Sequence, residues 1–65
     1  MSVLYLDASA LTKLVIEEPE SERLQARVRG ERWATSRVAA VEVGKAVARA
    51  NPSADPGPIL RRCAF

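Results

Sequence analysis

Histidine is absent from this 65-residue sequence, and cysteine occurs only once, at Cys63. Without histidine, the chain lacks the commonest general base and the commonest zinc ligand. A single cysteine cannot form an internal disulfide, which favours a reducing compartment. The apolar runs are far too short to cross a bilayer, and no signal-peptide pattern opens the chain. These absences predict a cytoplasmic protein with no membrane partner, whose chemistry does not depend on histidine.

Aromatic residues are also few, and only Tyr5, Trp33 and Phe65 are present. A chain this short buries only about 60% of the surface that its unfolded form exposes, so we expect a marginal core. The three glycines stand apart and form no glycine-rich phosphate loop. Ten basic and eight acidic residues give a formal net charge of +2. Because these charges are scattered, they permit contact with a polyanion without indicating one.

The start of the chain predicts a strand, a carboxylate, a tight turn and a helix. An unbroken apolar run at 3–6 is typical of a strand buried on both faces, as in a parallel sheet. Asp7 follows this run directly, and the hydroxyl of Ser9 stands at an N-cap position. A helix over 10–18 follows, because its apolar residues repeat at helical spacing.

Two further helices and a second strand are predicted next. Pro19 favours the start of a second helix, and Gly30 is a suitable residue to end it. A short strand at 33–35 leads to Ser36, an N-cap candidate for a third helix over 37–50. The order β-α-α-β-α predicts an α/β fold with parallel strands and right-handed crossovers.

The last part of the chain, residues 51–65, is predicted to be a Pro-rich loop followed by the start of a truncated further element. Three of the four prolines fall between 52 and 58, which is typical of a loop and not of a packed element. Two strands alone make a poor sheet, since stable sheets usually have three or more. The pattern is therefore expected to be unfinished.

Two roles are open to Asp7. A carboxylate directly after an apolar strand lies close to buried surface, which costs free energy because the charge loses contact with water. A hydrogen-bonded partner or a cation is needed to offset that cost. Asp7 and Ser9 are both able to cap a helix start. Alternatively, Asp7 binds a metal ion at the carboxyl edge of the sheet, where open α/β sheets bind their ligands.

Glu42 also has two possible roles. Helical periodicity places it on the flank of the apolar face of the third helix, beside Ala39 and Ala46. It is either a solvated glutamate with Lys45 as its i+3 partner or an active-site residue. Two carboxylates suit Mg²⁺, which is usually bound by one or two of them and keeps several waters. Such a site hydrolyses phosphodiesters without histidine.

Other mechanisms have less support. A serine nucleophile needs a general base, and Ser9 and Lys13 lack the S-x-x-K spacing. The charges of Arg61 and Arg62 favour a lower pKa for the adjacent Cys63, but this thiol has no catalytic partner in the sequence.

Three segments resemble the PIN-domain family. Residues Leu4 to Leu11 resemble the opening of PIN domains, in which an apolar strand delivers an aspartate followed by x-Ser. The segments 13–15 and 17–22 are similar to the VapC branch, in which a short helix precedes a Glu-Pro-Glu-rich turn. Residues 33–36 and 41–43 resemble the second family motif, a strand ending in Thr/Ser and a helix bearing a glutamate.

The resemblance runs from Val3 to about Arg49 and implies a PIN-like three-layer α/β/α sandwich around a parallel sheet. It implies an Mg²⁺- or Mn²⁺-dependent endoribonuclease, the toxin of a type II toxin–antitoxin pair. RNA would be the substrate, a VapB-type antitoxin the partner, and homodimers are usual. Carried over by position, Asp7 and Glu42 would be the metal-binding catalytic acids. Ser9 and Ser36 would support the site.

The family's remaining acidic residues follow a third strand, and no residue here matches them. Residues 1–50 are therefore interpreted as the N-terminal half of a PIN domain, weak or inactive by itself. A second hypothesis is a non-catalytic remnant that binds a VapB-type antitoxin or a PIN partner. A third is an unstable fragment without a function.

Overall fold

The structure is a computed structural model that describes residues 3–65. It consists of three short strands and four helices: β1 (Val3–Tyr5), α1 (Ala8–Val15), α2 (Ser21–Val28), β2 (Arg32–Ala34), α3 (Arg37–Ala50), α4 (Gly57–Arg61) and β3 (Cys63–Ala64). The strands are all parallel and lie in the order β1-β2-β3. The predicted α/β class with a parallel sheet is therefore confirmed. The first two positions of the predicted 1–50 segment lie outside the described residues.

The first helix begins two residues earlier than the sequence predicts. Its N-cap is Asp7, which has an extended backbone conformation and whose side chain accepts a hydrogen bond from the Ala10 amide. The prediction that Ser9 caps this helix is therefore wrong, because the helix has already begun at Ala8 and the Leu11 amide donates to the Asp7 carbonyl at 3.0 Å. Ser9 lies instead in the first turn of α1, which ends at Val15.

A buried serine joins the first two helices. Ser21 is 2% exposed. Its hydroxyl accepts a hydrogen bond from the Glu18 amide at 2.8 Å and donates to the Lys13 carbonyl at 2.7 Å. The second helix begins at Ser21 and not at Pro19, and its first side chain links the Glu18 amide of the connecting loop to the Lys13 carbonyl of α1.

The third helix has its predicted bounds. Ser36 is its N-cap, and the serine hydroxyl accepts a hydrogen bond from the Ala39 amide at 3.0 Å. Gly30 has a φ of +79°, a conformation that favours glycine just beyond a helix end, as predicted after α2. The second strand lies one residue earlier than predicted, at Arg32–Ala34.

The segment 51–65 is more ordered in its backbone than its prolines suggested. After a loop, α4 carries Ile59 and Leu60, which pack against the core. The strand β3 then pairs with β2 through Trp33 and Cys63. A loop therefore precedes a further element, as expected, but that element begins at Gly57 instead of residue 59, because Pro58 lies in the first turn of α4, where proline is tolerated.

The helices cover only one face of the sheet. The register sets Leu4 beside Trp33 and Trp33 beside Cys63, so these three side chains share the face that contacts the core. On the opposite face, Val3 is 59% and Tyr5 is 63% exposed. The prediction that β1 is buried on both faces is therefore wrong.

Within residues 3–65 the protein has two layers instead of the three expected for an α/β/α sandwich. The strands follow one another across the sheet in chain order. Right-handed crossovers between such strands all lie on the same side of the sheet. The core on that side includes Leu11, Val43 and Val47, which are fully buried. None of these four helices is long and apolar enough to span a membrane.

Candidate metal site and adjacent groove

Two strand-to-helix junctions lie side by side at the carboxyl edge of the sheet. The Leu6 amide, just after β1, donates to the Ala34 carbonyl at 2.9 Å. The Thr35 hydroxyl, just after β2, donates to the Leu6 carbonyl at 2.8 Å. Asp7 and Ser36 are the next residues of the two chain segments. They therefore stand at the edge where open α/β sheets bind ligands.

Asp7 caps α1 and still has a carboxylate oxygen available. Its Oδ1 accepts a hydrogen bond from the Ala10 amide at 2.9 Å, and the residue is exposed. Within residues 3–65, its Oδ2 has no hydrogen-bond partner. The capping role is therefore confirmed, and it is compatible with metal binding by the second oxygen. Carboxylate oxygens are the ligands that Mg²⁺ and Mn²⁺ prefer, so this residue fits such an ion.

The two predicted supporting serines differ in position. Ser36 is half-buried and its hydroxyl is engaged as the cap of α3. Ser9 is exposed in the first turn of α1 and lines the same groove as Asp7. Ser36 therefore supports the junction through its backbone contact, whereas Ser9 is free to contact a ligand in the groove.

Glu42 lies on an exposed part of α3. Ala39, Val43 and Val47 form the buried face of this helix. Glu42 is six residues beyond the cap, about 9 Å along the helix axis. In the part of the chain that the structure describes, it forms no ion pair with Lys45. The predicted surface pairing is therefore not formed, and the Glu42 carboxylate remains available.

The structure does not gather Glu42 into a metal-binding cluster. Within residues 3–65 there is no group of three or more His, Cys, Asp or Glu side chains that could hold a metal ion. Glu42 is also not among the residues that line the groove around Asp7. Any ion at this edge would therefore have at most two carboxylate ligands from these residues and would depend largely on water.

A groove between α1 and α2 contains residues that the sequence reasoning did not single out. It has a volume of about 270 Å³, and its lining includes Asp7, Ser9, Ala10, Lys13, Glu20, Arg23, Leu24 and Arg27. The sequence signal for it was the i, i+4 spacing of the two arginines on α2, which sets them on one helix face.

Cys63 is an unsuitable nucleophile. The residue is buried at the start of β3, and its thiol donates a weak hydrogen bond to the Ile59 carbonyl at 3.7 Å. Burial raises the pKa of this thiol, and the charge of Arg62 only partly opposes that effect. The guanidinium of Arg62 lies 3.9 Å from the centre of the Trp33 ring. Arg62 thus acts in the direction that the sequence indicates, but burial outweighs it and the pKa of Cys63 is raised overall.

No protein-family model, curated protein or solved structure matches this chain. The likeness to PIN domains consequently rests on the motifs around Asp7, Ser36 and Glu42. The α/β class rests on the structure itself.

Proposed function

We propose that this chain is a metal-dependent endoribonuclease unit of the PIN type, VapC-like, with Asp7 and Glu42 as metal-binding acids. The observation that carries the proposal is the position of Asp7. Its carboxylate stands at the carboxyl edge of a parallel sheet, and one oxygen has no hydrogen-bond partner among residues 3–65 after the other has capped α1. The adjacent start of α3 supports the proposal because that helix carries the second acid.

In this proposal the two acids hold Mg²⁺ or Mn²⁺, which would orient an RNA phosphodiester and lower the pKa of an attacking water. The hydrogen bond from the Ala10 amide to Oδ1 orients the Asp7 carboxylate, and Oδ2 is the oxygen left for the ion. Ser9 contacts the substrate from the first turn of α1. Ser36 holds the start of α3 and thereby the direction of the helix that bears Glu42.

Low activity is part of the proposal. Two carboxylates bind a divalent ion loosely, and loose binding positions the attacking water poorly. Small losses of geometry at a reacting centre cost large factors in rate. The 65-residue chain is therefore expected to cleave RNA slowly, in a reaction that depends on Mg²⁺ or Mn²⁺.

The test is cleavage of a labelled RNA by the purified chain with Mn²⁺, Mg²⁺ or EDTA, together with Mn²⁺ binding followed by electron paramagnetic resonance. Asp7→Asn is the informative variant, because asparagine caps a helix as well as aspartate does but lacks the charge. We expect it to lose Mn²⁺ binding and any cleavage. Glu42→Gln should weaken both.

The matched control is Glu22→Gln, which removes an exposed helix carboxylate away from the sheet edge. It should leave Mn²⁺ binding and cleavage unchanged. Cleavage that survives in Asp7→Asn would indicate a contaminating nuclease. Mn²⁺ binding that survives in both Asp7→Asn and Glu42→Gln would refute the assignment of these acids.

A second candidate is a binding module without catalysis, which engages a VapB-type antitoxin, a PIN partner or a second copy of itself. The observation that favours it is the uncovered face of the sheet, where Val3 and Tyr5 are largely exposed. An antitoxin-like reading frame directly upstream of the gene would support this candidate. Co-expression of that product with the chain and with Tyr5→Glu would test it, since only the unaltered chain should form the complex.

A further inference from the structure

The groove between α1 and α2 is built from one stripe of each helix. On α2 and its N-cap, Glu20, Arg23 and Arg27 follow at spacings of three and four residues, which set them on one face. On α1, residues 9, 10 and 13 form the opposite wall. The groove is thus a shallow, open surface between two packed helices.

The charges of the groove are unequal. Lys13 and Glu20 form an ion pair, with Nζ and Oε1 3.7 Å apart, and largely offset each other. In the described part of the chain, Arg23 and Arg27 are exposed and form no ion pair. Two guanidinium groups therefore remain available in a groove that also contains Asp7.

We propose that this groove binds the phosphate backbone of a single RNA strand, with Arg23 and Arg27 contacting successive phosphates. The proposal rests on the nuclease function proposed above and extends it to the positioning of the substrate. Arginine binds phosphate oxygens through two parallel N–H bonds, which fixes the position of each phosphate. Residues at i and i+4 have Cβ atoms about 5–6 Å apart, a spacing that suits neighbouring phosphates of an extended strand.

The presence of Asp7 in the same groove favours RNA over an acidic peptide. A bound polyanion is repelled by this carboxylate unless a divalent cation lies between them, and the nuclease proposal supplies that cation. Ala10 and Leu24, which also line the groove, offer apolar surface to the carbon faces of the sugars between phosphates. An acidic peptide has no comparable use for a carboxylate in its own binding groove.

The experiment measures binding of a fluorescein-labelled single-stranded oligouridylate to the 65-residue chain by fluorescence anisotropy, in EDTA and over a series of salt concentrations. In the double variant Arg23→Gln/Arg27→Gln we expect binding about tenfold weaker or more, because two charge-assisted phosphate contacts are lost. The slope of log K against log salt concentration should fall in magnitude by about 1.4, since each single-strand phosphate contact contributes about 0.7.

The matched control is Lys45→Gln/Arg49→Gln, an exposed i, i+4 basic pair on α3 outside the groove. It removes the same formal charge and should change affinity much less. Equal losses in the two double variants would overturn the proposal, because they would show only an effect of net charge. Binding of polyglutamate with equal affinity and equal dependence on the two arginines would also overturn it, in favour of an acidic protein partner.

A further double variant keeps the outcome interpretable. If circular dichroism shows that the glutamine double variant does not fold, Arg23→Lys/Arg27→Lys replaces it. We expect that variant to retain the salt slope and lose several-fold in affinity, because lysine keeps the charge without the two-pronged contact. An unchanged affinity would contradict the proposed contacts.

The variant Asp7→Asn separates this proposal from the proposed function. It removes a negative charge from the groove, so RNA binding in EDTA should be unchanged or tighter. RNA binding that depends on both arginines, without metal-dependent cleavage, would support RNA binding in the groove and refute the proposed nuclease function. Metal-dependent cleavage together with an RNA affinity that does not depend on the two arginines would refute RNA binding in the groove and support the proposed nuclease function.

Discussion

The two strand-to-helix junctions of this protein perform the same structural task with different chemistry. At the first, the Asp7 carboxylate accepts a hydrogen bond from the amide three residues later at 2.9 Å. At the second, the Ser36 hydroxyl accepts the corresponding bond at 3.0 Å. A neutral hydroxyl is therefore sufficient to begin a helix at this edge. The negative charge of Asp7 is not needed for capping, which supports a second role for it.

The junctions also differ in the side chains that anchor the following helix to the core. Four residues after Asp7 the chain places Leu11, which is completely buried. Four residues after Ser36 it places Ala40, which is half-buried. The first junction is thus held by a large apolar side chain, whereas the second has a small one and relies on Val43 and Val47 further along α3.

The largest predicted effect concerns this difference in packing. Leu11→Ala should lower the free energy of unfolding by about 2–5 kcal/mol, because it leaves a cavity in the only core that the described residues share. In so small a domain that loss should abolish a cooperative transition. Thermal unfolding followed by circular dichroism measures it. A loss below about 1 kcal/mol would show that the first junction does not depend on Leu11.

The next effect concerns the bond that joins the two junctions. Thr35 is 4% exposed, and its hydroxyl donates to the Leu6 carbonyl. Thr35→Val keeps the shape but removes the donor, so we expect a loss of about 1–3 kcal/mol from the unmet buried carbonyl. Urea unfolding measures it, and Thr35→Ser, which keeps the hydroxyl, is the control. Equal stability of Thr35→Val and the unaltered chain would mean that the junctions are not coupled by this bond.

The sequence is sufficient to predict the features that depend only on residues close together along the chain. Ser36 is predictable as a cap because its hydroxyl stands directly before a helical apolar pattern, where it accepts a bond from a first-turn amide. Gly30 was identified because a positive φ just beyond a helix end favours glycine. The cap of α1 was misplaced because Asp7 and Ser9 both have capping side chains two residues apart. Only the backbone conformation decides between them.

Features that depend on distant parts of the chain were not predictable in the same way. The apolar run of β1 is alike on both faces, and its burial is set by the side on which the crossover helices lie. The pairing of β3 with β2 needs α4 to bring the chain back to the sheet. Likewise, Arg23 and Arg27 come to line a groove only when α2 packs beside α1.

A smaller effect should follow when each cap is removed. Asp7→Ala and Ser36→Ala should each lower the free energy of unfolding by about 0.5–2 kcal/mol, because each leaves one helix amide without its acceptor. Urea unfolding of both variants under the same conditions measures the two losses side by side. A much larger loss for Asp7→Ala would contradict the view that the two caps are equivalent and that the charge is dispensable for folding.

The smallest effect on stability, and the sharpest separation of the two roles, is expected for Asp7→Ser. Serine caps a helix about as well as aspartate, so the free energy of unfolding should change by less than about 0.5 kcal/mol. The same change removes both carboxylate oxygens, so Mn²⁺ binding should be lost while the helix persists. The reverse change at the second junction, Ser36→Asp, should keep α3 and add a carboxylate beside Asp7, which is expected to tighten Mn²⁺ binding. If neither substitution altered Mn²⁺ binding in electron paramagnetic resonance, the charge at the first junction would have to be explained without a metal ion.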